Sequence, residues 1–486
     1  MKTIRKYGQA FLSGTAFCML FFASALPCTA QDAADPDSDA KPVFTVGGKM
    51  ETLHGLRWNG DKDNVEYGAS RSISHVKGEV SAGSSYAVIS AAAEYNYRNP
   101  ARTGFRLNEA YYRYSGEIWD ISVGRQLIAW GQADGFKLTD VLSARDTSEF
   151  IAFNGDDARL ASDSIRLRFF HDIFTFEAVA VPFFTPSKLP RFSFENGAKD
   201  SLYYIDTPDS FDTKTVLGRI PITYTKTETK PKMFTDTEAA ARFSFFLPGI
   251  DFSVSGFYGW DKNPRYVKSG YVKKELFNPA NPPGPLNPYV PKGIHTNLNE
   301  EYSRIGMAGI DAAIPAGDVT VRLETAWVGG RYFEPKNLLT DESIAGVKRQ
   351  TPADVPLDFN APVKKHQLLM LAGIDWIKSS WTLSGQYFED LILNHKNDIE
   401  RPMHKGFVSL NVSKTFLRET LKLSASGVID VNYGSTFSTC SVGYALTDNI
   451  SFALGGDVYA KGYDGKGDFA ALHKISAVWL KGTFTW

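Results

Sequence analysis

The feature that most constrains this chain is a series of short segments in which apolar and polar residues alternate. About eighteen such segments follow one another from residue 43 to the C-terminus, each near the ~9–11 residues that a tilted strand needs to cross a bilayer. Alternate side chains of a strand point to opposite faces of its sheet. After residue 30 no apolar stretch approaches the about 18 residues of a helical span. The pattern therefore predicts an all-β fold with one apolar and one polar face.

The connections between these segments alternate in length. Short joins such as Gly83 with Ser84 and His171 with Asp172 are followed by longer polar or Pro/Gly-rich connections. Membrane barrels alternate short periplasmic turns with long external loops in this way. We predict a transmembrane antiparallel β-barrel of about 18 strands over residues 43–486, with both termini periplasmic. The predicted strands cover residues 43–54, 70–82, 85–97, 105–115, 118–126, 162–171, 173–181, 236–246, 250–261, 301–312, 318–329, 365–377, 380–392, 404–416, 419–432, 436–446, 449–461 and 472–486, and the long loops 127–161, 182–235, 262–300 and 330–364.

The N-terminus has the pattern of a secretory signal peptide. Three basic residues precede an apolar run over residues 10–26 and a small-residue stretch, which predicts a signal peptide over residues 1–30 with cleavage after Ala30. The alternative is lipid attachment at Cys28, although Pro27 departs from the small residue expected there. Residues 31–42, rich in Asp, Ala and Pro, are predicted to form a flexible periplasmic leader. The predicted location is the outer membrane of a Gram-negative bacterium.

Charge and cysteine content narrow the possible partners. Without the signal peptide the chain keeps 50 basic residues against 54 acidic ones, a balance that gives no electrostatic reason to bind nucleic acid. Cys440 is then the only cysteine, so an intrachain disulfide is excluded. The expected partners are outer-membrane lipid and lipopolysaccharide, the barrel-insertion machinery and small solutes, and the sequence does not determine the oligomeric state.

The last segment ends on an aromatic residue. Val478, Leu480, Gly482, Phe484 and the terminal Trp486 share one face of the predicted strand. This resembles the C-terminal assembly signal of outer-membrane barrels in general, which implies that Phe484 and Trp486 are read by the insertion machinery.

The most distinctive block begins Gly124-Arg125-Gln126 and continues through Trp130-Gly131 to Asp134. Over residues 105–150 it resembles a large, mostly uncharacterised family of proteobacterial porin-like barrels. In that family the strand-to-loop corner reads GRQ and then WG, followed by an acidic residue. The block is also similar to alginate-export-type barrels. The resemblance implies a membrane-spanning barrel and names no solute.

The same block opens a long loop, residues 126–161, which carries charges of both signs. We predict that this loop folds into the barrel and forms a pore constriction, because fixed charges of both signs in a narrow pore create a transverse field. The alternative is that Arg125 and Asp134 only pin the loop at the barrel rim by an ion pair. The predicted constriction residues are Arg125, Asp134, Lys137, Asp140, Arg145, Asp146 and Glu149.

Other charges fall on the polar faces of predicted strands. They either contact passing solutes or stabilise the wall of a water-filled barrel by cross-strand pairing. These predicted lumen charges are Glu109, Arg113, Arg166, Arg168, Glu238, Arg242, Arg322 and Glu324.

Signals for enzymatic chemistry are scarce. The chain has no Gly-x-Ser-x-Gly elbow, His-Glu-x-x-His or Walker loop, so we predict no catalytic residues, no cofactor and no metal. Asp61 and Asp63 resemble half of a calcium loop, but Ser72 stands where the Glu is required. We expect a non-enzymatic channel for passive diffusion of small polar or anionic solutes. The alternatives are an export conduit with a periplasmic or efflux partner and a membrane-embedded hydrolase, which would place Ser or Thr beside His on adjacent strands.

Overall fold

The computed structural model describes residues 41–486 apart from 59–64, 132–136, 150, 153–157, 190, 193–203, 206–209, 213–218, 277–288, 338 and 344–353. The predicted signal peptide, residues 31–40 of the predicted leader, the half calcium loop at Asp61 and Asp63, and Asp134 lie outside the described residues.

Eighteen strands form one closed antiparallel sheet in which each strand pairs with the next one along the chain. The ring closes where the last strand pairs with the first, with Arg57 opposite Ala477 and Lys49 opposite Thr485. This confirms the predicted barrel and its number of strands. The strands are β1 Val43–Trp58, β2 Val65–Ala82, β3 Ser85–Asn96, β4 Gly104–Ser115, β5 Trp119–Gln126, β6 Ser162–His171, β7 Phe174–Phe183, β8 Glu238–Leu247, β9 Ile250–Trp260, β10 Arg304–Ala316, β11 Val319–Phe333, β12 Val363–Lys378, β13 Trp381–Leu393, β14 His404–Phe416, β15 Leu421–Asp430, β16 Thr436–Ala445, β17 Ile450–Ala460 and β18 Ala477–Thr485.

The two faces of this sheet differ sharply in chemistry. On the outer face, large apolar side chains such as Ile310 and Ile374 are 50% and 56% exposed. On the inner face, neighbouring positions hold buried polar groups, among them Asp311 and Asp375. A continuous band of exposed apolar side chains is unfavourable in water and favourable in lipid. The barrel therefore has the surface of a membrane-spanning protein.

No helix in the described part of the chain is long and apolar enough to span a membrane.

The long connections contain strands that the sequence pattern did not predict. Segments predicted as loops form a sheet of five strands that is not hydrogen-bonded to the barrel sheet, here called the loop sheet. Its apolar residues, such as Val272 and Leu298, are buried, but lysine, glycine and hydroxyl residues interrupt them along each strand, so the strands lack the continuous apolar face of a lipid-facing strand. The assignment of these segments as plain loops was wrong. The loop sheet comprises Ser210–Asp212, Arg219–Thr229, Arg265–Leu276, Tyr289–Glu301 and Val355–Asp358.

Candidate functional site

The connection from β5 to β6, residues 127–161, is here called the inner segment, and it is attached to the wall by hydrogen bonds from its first half. The backbone N–H of Leu127 donates to Glu109 on β4 over 2.9 Å. The indole Nε1 of Trp130 donates to Glu177 on β7 over 2.7 Å, and the ring is 1% exposed. The N–H of Leu138 donates to Glu324 on β11 over 2.8 Å. These bonds follow the wall from β4 to β11.

The second half of the inner segment contacts a different part of the ring. Ile151, which is 1% exposed, packs against Leu53 on β1 and Trp479 on β18. The N–H of Ala152 donates to the buried carboxylate of Asp457 on β17 over 2.6 Å. A chain that contacts β7 and β11 and also β1, β17 and β18 of a closed ring must pass through its interior.

Apolar packing holds the first half of the inner segment in place. Ile128, Trp130, Leu138 and Leu142 form a buried cluster with inward-facing apolar side chains of β7 to β12, a surface here called the covered wall. Inward apolar residues are unexpected in a water-filled barrel, so apolar residues at polar-face positions of the strands are a sequence signal for a segment packed inside it. They are Val179, Val181, Ala240, Phe257, Ile305, Met307, Ala326, Val328, Leu369 and Leu371.

Two carboxylates of the inner segment are held by arginines. The buried side chain of Asp140 accepts from Arg159 over 2.7 Å and from Arg145 over 3.2 Å. Asp146 accepts from Arg102, which precedes β4, over 3.2 Å. Burial by itself would raise the pKa of Asp146, but Arg102 and the hydroxyl of Ser148 outweigh burial and hold this pKa below its ordinary value.

Glu149 links the inner segment to β2 and β3. It accepts from Asn96 over 2.8 Å and also from Arg71, and Arg102 lies 3.5 Å away. Its side chain is almost fully buried, so these donors compensate for removing its charge from water. The predicted constriction charges therefore also fasten the inner segment to the wall.

Arg125 lies on the opposite face of the sheet from these groups, contrary to the prediction that it belongs to the constriction. It shares the outer side of β5 with Val123, whereas its neighbour Gln126 faces inward and is 3% exposed. Its guanidinium makes a two-fold contact with Asp163 on β6, with distances of 2.9 and 2.6 Å. The strict alternation of strand side chains explains the error, because motif proximity does not determine the face.

The predicted lumen charges occupy inward positions, and they have partners close by. Arg166 contacts Glu177 at 2.5 Å, and Arg242 contacts Asp311 at 3.1 Å. Further contacts pair Arg168 with Asp120 at 2.9 Å, Glu238 with Lys262 at 2.5 Å, Arg322 with Asp375, and Arg113 with the ring of Tyr86 at 4.6 Å. Cross-strand pairing of this kind neutralises much of the wall.

A pocket of about 380 Å³ lies between the inner segment and the covered wall. Its apolar side includes Phe388 on β13 and Leu369 on β12. Four cationic side chains and two carboxylates line the same pocket, and Glu238 pairs with Lys262, so the cationic groups exceed the carboxylates by one. These charged residues are Lys137, Arg145, Lys262, Arg331, Asp140 and Asp261.

One arrangement required by the hydrolase alternative occurs on the outer face. His54 on β1 contacts Ser70 on β2 through Nδ1 at 3.0 Å and Thr52 through Nε2 at 3.3 Å. Both ring nitrogens thus face hydroxyl groups, whereas a catalytic histidine is normally oriented by a carboxylate or carbonyl on one nitrogen. Within the described ranges, no three His, Cys, Asp or Glu side chains are placed to hold a metal ion.

No family model and no curated protein sequence matches this chain. Solved structures with a similar fold include OccAB1 of Acinetobacter baumannii, with 10% identity, a TM-score of 0.47, and coverage of 93% of this chain and 99% of that one. OccK5 (OpdH) of Pseudomonas aeruginosa gives 9% identity and a TM-score of 0.45 over 91% of this chain and 97% of that one. The outer-membrane protein OmpT of Vibrio cholerae, in its trimer form, gives 12% identity and a TM-score of 0.41 over 92% of this chain and 99% of that one. At such identities the likeness concerns the fold alone.

Proposed function

We propose that this protein is an outer-membrane channel through which small polar or anionic solutes diffuse passively. The observation that carries the proposal is the course of the inner segment, which crosses the interior from β11 to β17. A closed barrel without such a segment is a wide pore, and a segment that crosses it narrows the passage and selects by size and charge.

The charged pocket supports the preference for anions. Its excess of cationic groups lies where the inner segment meets the wall, in surroundings of low dielectric constant that strengthen the field. A small anion entering there exchanges part of its water for Lys137, Arg145 or Arg331. The carboxylates of Asp140 and Asp261 keep the field from trapping the solute, because conduction requires that binding stay weak enough to allow release.

We also propose export through a cleaved signal peptide and insertion through the C-terminal strand. Trp486 supports the second proposal, because it exchanges two backbone hydrogen bonds of 3.0 Å with Gly48 on β1. Its indole lies where a Cβ at Gly48 would come within 2.4 Å. A glycine is therefore needed beside the aromatic residue that ends the closing strand.

The test is conductance in planar bilayers of purified protein whose folding is shown by a heat-dependent shift in SDS gels. We expect discrete conductance steps and a reversal potential displaced toward anions in a KCl gradient. Folded protein that produces no conductance steps would overturn the channel function.

A further inference from the structure

A row of aromatic rings on the inner face of the barrel begins at the edge of the covered wall, where Phe388 packs against the buried cluster, and continues from there to β17. Phe388 on β13 and Phe407 on β14 stack with their centroids 5.9 Å apart. Phe437 on β16 stacks on Tyr459 of β17 at 4.7 Å. Phe469, which lies between β17 and β18, is 6.3 Å from both Phe407 and Phe437 and joins the two pairs. These five rings are here called the aromatic row.

Uncharged polar side chains lie beside the aromatic row, on the side of the short turns. Strand register places Gln386 opposite Ser409 and Ser384 opposite Asn411, each on the same inward face as Phe388 and Phe407. The register continues to β15, where Ser426 lies opposite Asn411. We call this group the hydroxyl patch. It consists of Ser384, Gln386, Ser409, Asn411, Ser424 and Ser426.

Two members of the hydroxyl patch have buried polar atoms without a hydrogen-bond partner in the described structure. Gln386 is 4% exposed, and both its Oε1 and Nε2 lack a partner within the described structure. Ser384 is 5% exposed, and its Oγ also lacks a hydrogen-bond partner within the described residues. Buried polar groups are almost always hydrogen-bonded, so these atoms are free to bond to a solute or to the water that it displaces. Gly373 makes room for Gln386, because a Cβ there would lie 3.0 Å from Gln386 Cγ.

We propose that the aromatic row and the hydroxyl patch form a binding subsite for an uncharged cyclic sugar passing through the channel. The C–H face of a sugar ring packs on aromatic rings, and its hydroxyl groups exchange hydrogen bonds with amide and hydroxyl side chains. The hydroxyl patch carries no charge, and Lys405, whose Nζ lies 5.6 Å from the ring of Phe407, is paired with Asp468, so the subsite favours a neutral solute over an ion. Phe388 lines both this subsite and the charged pocket, so a solute can move from one to the other. The inference rests on the proposed channel function.

The experiment follows single-channel current while D-glucose is added. We expect a saturable, glucose-dependent block of the wild-type channel and a weaker block by sorbitol, a polyol of similar size without a ring. Gln386→Met and Phe437→Ala should each weaken the apparent glucose affinity roughly five- to tenfold, in keeping with the contribution of one aromatic contact or hydrogen bond. Phe452→Ala, which removes an aromatic ring from the outer face, is the matched control and should leave the block unchanged.

A conducting channel that glucose does not block would overturn the subsite and leave the channel function standing. The same holds if both inward variants conduct and keep the wild-type glucose affinity. Absence of conductance in folded wild-type protein would instead overturn the channel function. Because Phe437→Ala removes a packed ring, the nearly isosteric Gln386→Met serves as the second variant if the first does not fold.

Discussion

The covered wall and the wall that carries the hydroxyl patch are built from the same kind of strand, yet they hold different contents. Inward positions of β7 to β12 combine apolar side chains with ion pairs, and the inner segment packs against them. Inward positions of β13 to β15 carry Ser, Asn and Gln beside aromatic rings. The outer faces of both walls are apolar, because both face lipid. The inward positions alone therefore decide whether a wall receives a packed segment or faces the passage.

The largest expected effect comes from the packing of Trp130 in the covered wall. Trp130→Ala removes a fully buried ring and its hydrogen bond to Glu177. Truncating a buried aromatic residue costs about 3–5 kcal/mol, and we expect a loss of this size in the free energy of unfolding. Urea unfolding of the protein refolded into lipid vesicles measures it.

The matched control is Trp327→Ala. Trp327 is 42% exposed on the outer face of β11, where lipid fills the space of the lost ring. We expect a much smaller loss there. Equal losses for both variants would mean that the inner segment adds no packing beyond that of the lipid face.

A smaller effect concerns the charges between the inner segment and the covered wall. Asp140→Asn keeps the volume of the side chain and leaves the guanidinium groups of Arg145 and Arg159 without their shared carboxylate. We expect the reversal potential in a KCl gradient to move toward anions. The shift should fade with salt, since the Debye length falls from about 10 Å at 0.1 M to about 3 Å at 1 M.

The control for this prediction is Asp318→Asn. Asp318 pairs with Lys378 at a short turn and is half exposed, so its charge is screened by solvent. A selectivity change of the same size in both variants would show that the field comes from the barrel as a whole rather than from the inner segment.

The smallest effect is a dependence on acid pH. Because the pKa of Asp146 is lowered in the folded protein, its ion pair with Arg102 stabilises the inner segment above the ordinary value of 3.8 and is lost as pH falls below it. We expect steady current from pH 7 to about 4, and increased current noise at lower pH. The Asp146→Asn channel should lack this part of the pH dependence, and an identical acid response would assign it to other groups.

The barrel could be predicted from the sequence because lipid imposes a strict alternation of apolar and polar residues on every spanning strand. The predicted strand over 404–416 coincides with His404–Phe416. The loop sheet was missed because the apolar face of strands such as Arg219–Thr229 is short and gives way to charged residues at Lys226 and Glu228. The contacts of the inner segment were also beyond prediction, since Leu138 and Glu324 are 186 positions apart and nothing in either residue type specifies the other. The outward position of Arg125 follows from strand alternation, because its neighbour Gln126 faces inward.

The most direct test of this account compares the single-channel conductance of the wild type with that of a variant in which a short Gly-Ser linker replaces residues 132–150. If the inner segment obstructs the passage, conductance in the variant should rise at least about twofold, with weaker discrimination between small and large ions. Folded variant protein with unchanged conductance and unchanged ion discrimination would contradict the account.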